Sequence, residues 1–65
     1  MLEIALTIAR ENKEQIEKLP CIRGMEVIFE QLMKKFGARL EEISIVQLDG
    51  FRAATIYAYE NVIDN

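Results

Sequence analysis

The chain has 65 residues, one cysteine, no histidine and a formal net charge of −3, with 51% hydrophobic and 29% charged side chains. That is one domain of globular composition, and it excludes an internal disulfide and a Cys/His zinc site. The acidic balance gives no electrostatic drive toward nucleic acid or an anionic membrane, and no apolar run approaches the roughly 18 residues of a membrane span.

The first residues, "MLEIALTIA", alternate strictly: Leu2, Ile4, Leu6 and Ile8 stand against Glu3, Ala5, Thr7 and Ala9. Period two predicts a strand over 1–9. The competing reading is a helix, because Ala, Leu, Glu and Arg are good helix formers. One helix from 2 to 19, however, would leave Ile4 and Ile8 off a stripe of Leu2, Leu6, Ala9 and Ile16. The start lacks a basic segment before its apolar stretch, so no signal peptide is expected. Residues 10–19 predict a short, exposed helix, with Asn12 and Gln15 as a capping box and Ile16 and Leu19 as its apolar anchors. Pro20 and Gly24 then interrupt the chain.

Residues 25–36 predict the clearest helix. Met25, Ile28, Phe29, Leu32, Met33 and Phe36 recur at helical spacing. Glu26 and Glu30 lie early and Lys34 and Lys35 late, as the helix dipole favours, and Gly37 sits where a left-handed cap belongs.

Residues 40–60 predict a β-hairpin closed by Asp49-Gly50, a pair strongly associated with two-residue turns. In that register Val46, Leu48, Phe51, Ala53, Thr55, Tyr57 and Tyr59 share one face. Ile43, Ile45, Ala54, Ile56 and Ala58 share the other, on which the 25–36 helix would lie. The expected fold is α+β, a single β-α-β-β domain over residues 1–65, with a three-stranded sheet and a helix on one face.

Such a sheet leaves its aromatic face uncovered. A domain this small buries only about 60% of its unfolded surface, and monomers rarely expose a large apolar patch. The expected interface is therefore Val46, Leu48, Phe51, Ala53, Tyr57 and Tyr59, packed against a second copy in a homodimer or higher oligomer. The intrachain alternative is that the short helix or the tail "NVIDN" folds over it.

Residues that carry chemistry are sparse. Cys21 has Arg23 nearby but no histidine to activate it, and reads as a small buried hydrophobe. Glu26 and Glu30 read as a solvated helix face rather than a cation site. Lys34, Lys35 and Arg39 form a basic cluster that helix-end capping explains. Ser44 has no triad. No catalytic residue, metal or cofactor is expected, and a lone cysteine suits a cytoplasmic setting. The function these features imply is non-enzymatic: a small interaction protein that binds and regulates or inhibits another protein. The alternative is a single-stranded nucleic-acid-binding module that stacks bases on Phe51, Tyr57 and Tyr59.

Overall fold

Two local devices start the two longest helices. At Ser44 the backbone N–H of Gln47 donates to Ser44 Oγ at 3.2 Å, while the Ser44 N–H donates to Gln47 Oε1 at 3.0 Å. This reciprocal capping box starts a helix at Ile45. At Pro20 the fixed φ of −58° opens a second helix at Cys21. A computed structural model describes all 65 residues: α1 (Leu2–Glu11), α2 (Lys13–Glu17), α3 (Cys21–Lys35), α4 (Ile45–Ala58) and a terminal π-helical turn (Tyr59–Ile63).

The chain contains no strand, so the α+β fold with its three-stranded sheet is overturned. Asp49 and Gly50 lie inside α4, in its second turn. A type I′ hairpin turn needs positive φ at its central residues, and Gly37 is the only residue with positive φ. Thr55, a β-former buried in mid-helix, satisfies its hydroxyl by donating to Phe51 O at 2.8 Å. Because a Cβ at Gly50 would meet nothing within 4 Å, Gly50→Ala is expected to stabilise the fold by about 0.5–1 kcal/mol. A lower urea midpoint for this variant would mean that Gly50 occupies a turn and not a helix.

The strand expected over residues 1–9 is also helix. Its inward stripe is Ala5, Ile8 and Ala9, continued by Ile16 in α2. Leu2 and Ile4 are exposed, so the large alternating side chains misled and small alanines mark the packed side. Asn12 does not cap forward. Its side chain donates back to Ile8 O at 2.8 Å, and its backbone breaks the helix between α1 and α2.

The predicted 25–36 helix exists but starts four residues earlier, with Gly24 inside it. Gly24 is buried and lies against Ile16 and Tyr59, so it permits close approach of α3 to α2 and the π turn. The helix ends as expected. Gly37 adopts φ 62°, its N–H reaches Lys34 O at 3.1 Å, and Ala38 N–H reaches Met33 O at 3.0 Å. That is a Schellman motif.

Helices α1, α3 and α4 enclose one core whose largest fully buried side chains are Ile16, Ile28 and Leu32. Phe51 joins it from α4, edge-on to Phe36 with ring centroids 5.8 Å apart. Val62 and Ile63 of the π turn pack against the same core. The tail thus covers part of the core, but not the outer side of α4.

Candidate interaction surface

Helix α4 is apolar on two sides. Its inner stripe is Phe51, Ala54, Thr55 and Ala58, all buried. A second stripe, Ile45, Leu48, Arg52 and Ile56, recurs at i, i+3, i+7 and i+11 on the outer side. A helix apolar nearly all round is normally enclosed, yet Ile45 is 78% exposed and Ile56 47%.

Helix α3 supplies a facing wall. Ile22, Met25 and Phe29 lie along its edge at i, i+3 and i+7, with Ile22 74% exposed. Between α3 and α4 they line, with Leu48 and Ile56, an open cleft of about 450 Å³. Leu40, in the connection that closes one end, is also exposed. The cleft carries one carboxylate, Glu26 on the α3 wall, and one guanidinium, Arg52 on the α4 wall. Glu26 accepts from Arg23 at 3.3 Å at the surface, whereas Arg52 has no ion-pair partner.

The residues expected to form one sheet face are dispersed by the helix. Val46, Ala53 and Tyr57 project from an outward side of α4, with Val46 80% exposed. Leu48 belongs to the cleft. Phe51 is buried in the core. Tyr59 lies half-buried beside Gly24. Phe51, Tyr57 and Tyr59 therefore form no common stacking platform. Ile56, assigned to the side covered by the helix in the hairpin reading, is instead exposed beside α3. Ile22 is not assigned to a helix face from the sequence because Pro20 and Gly24 make its segment read as an interruption between helices. Its spacing to Met25 and Phe29 was the available signal.

The other candidate groups fall apart or find partners. Cys21 is exposed at the start of α3 and not buried. Tyr59 is held above the ordinary phenol pKa, first by hydrogen bonding with the Cys21 side chain, then by burial and by the charges of Cys21 and Asp64. Arg39 pairs with Glu41 at 3.0 Å and Glu42 at 3.2 Å, which takes it out of a basic cluster with Lys34 and Lys35. No three Cys, Asp or Glu side chains gather where a metal could be held. A polar cleft near the π turn brings Arg10 and Lys13 beside Tyr57 and Asn61, but the Asn61 amide already donates to Tyr57 O at 2.7 Å. No helix is long and apolar enough to cross a membrane.

No family model matches the chain, and no curated protein or solved structure is similar to it.

Proposed function

We propose that this protein is a non-enzymatic interaction module that works by holding an amphipathic helix of a protein partner in the α3–α4 cleft, and that it regulates or inhibits the partner by doing so. The observation that carries the reading is the second apolar stripe of α4, opposite Ile22, Met25 and Phe29 with nothing of its own chain between. Two antiparallel helices with an apolar furrow suit a third helix laid along it, its anchors one turn apart. The exposed Cys21 suits a reducing, cytoplasmic setting.

Surface and core respond differently to charge. Ile22→Glu with Ile56→Glu is expected to retain the full helical circular dichroism at low protein concentration, with stability changed by no more than about 0.5 kcal/mol per site. A loss of several kcal/mol would mean that the chain fills the cleft itself, and the reading would fail. Micromolar, steeply salt-dependent binding to a single-stranded oligonucleotide would instead favour a nucleic-acid module.

A further inference from the structure

We infer that what covers the α3–α4 cleft is not a lone helix but the α3–α4 pair of a second copy of this chain, docked about a twofold axis running along the cleft; this rests on the reading above that the cleft is an interaction surface. Charge complementarity selects the geometry. Rotation about that axis lays α4 of each copy over α3 of the other. It brings the unpaired Arg52 opposite Glu26 of the partner subunit, and the same pair forms again by symmetry. A twofold axis across the cleft would stack α3 on α3 and set the two Glu26 carboxylates against each other. The apolar residues are self-complementary in the first arrangement, since Ile22, Met25 and Phe29 on one wall meet Leu48 and Ile56 on the other. The result is a two-layer, four-helix arrangement of two α3 and two α4, a common packing for short helices.

The area fits a reversible dimer. Helices of this length, side by side, present a face about 20 Å on a side, which is small beside the roughly 800 Å² per partner of a standard interface. The monomer has surface to lose. It exposes 4610 Å², where size scaling gives about 4,250 Å² for a 7.5 kDa chain.

Sedimentation equilibrium on the full chain, with circular dichroism on every variant, tests the pairing. The wild type is expected to dimerise with a micromolar dissociation constant. Arg52→Glu alone and Glu26→Arg alone should each weaken it about tenfold, by setting like charges against each other. The two together in one chain should restore it to within about threefold, as a reciprocal pairing requires. A wild-type monomer at hundreds of micromolar, or a double swap no tighter than the singles, overturns the self-pairing. If the chain is monomeric while Ile22→Glu with Ile56→Glu stays folded, the cleft remains a site for another protein and only the second copy is lost. If that variant unfolds, both readings fall.

Discussion

Leu32→Ala is expected to cost about 2–5 kcal/mol, a large share of the stability of the whole domain. Leu32 is fully buried in α3 beside Ile28 and Met33, where α1 and α4 close over it. Truncation removes the transfer free energy of the lost methyl groups and leaves a cavity that three packed helices cannot easily collapse into. A 65-residue domain has only about 3–10 kcal/mol to lose. The variant should therefore be largely unfolded at 37 °C, with a broad, low-temperature melt by circular dichroism. A melting midpoint within a few degrees of wild type would show that Leu32 is not central to the core. Helix propensity works slightly the other way, since alanine is the better helix former, but by a fraction of the cavity cost.

Gly24→Ala is the second large effect, and its sign is the informative part. In an exposed helix interior this change stabilises by about 1 kcal/mol. Here the new Cβ would lie 2.8 Å from Ile16 Cγ2 and 3.0 Å from Tyr59 Cε2. The Tyr59 ring is half-buried and can swing. Ile16 is fully buried, and its Cγ2 is fixed by a branched, stiff χ1, so α2 itself must shift. Overpacking of this kind costs about 1–3 kcal/mol, which outweighs the propensity gain. The thermal midpoint should fall by several degrees, whereas Gly50→Ala should raise it. A stabilised Gly24→Ala would mean that α2 and the π turn do not close on α3.

Part of this fold is legible in single residues. The stripe of Ile28, Leu32 and Met33, the Lys34–Lys35 end and the Gly37 cap each specify helix by local chemistry alone, and α3 has them all. The Ser44–Gln47 capping box is equally local, but from the sequence Ser44 is weighed only as a nucleophile and the Asp49-Gly50 pair alone sets the expectation. That pair marks a hairpin only where positive φ is available, and α4 supplies a helical frame instead.

What the sequence by itself determined is a small acidic domain with one thiol, no imidazole and more apolar surface than its length can enclose. What only the tertiary structure decided is which side of each segment turns inward. Residues 45–58 are apolar at both even and odd positions, so a period of two and a period of 3.6 each find a plausible face. The choice falls to packing. Ala54 and Ala58 are small enough for α1 and α3 to approach α4 closely, and Ala5 and Ala9 do the same on α1. Once those alanines define the inside, Leu48 and Ile56 are left facing Ile22, Met25 and Phe29, and the cleft follows. Local pattern cannot specify this, because an alanine is marked as core only by the neighbour that packs on it.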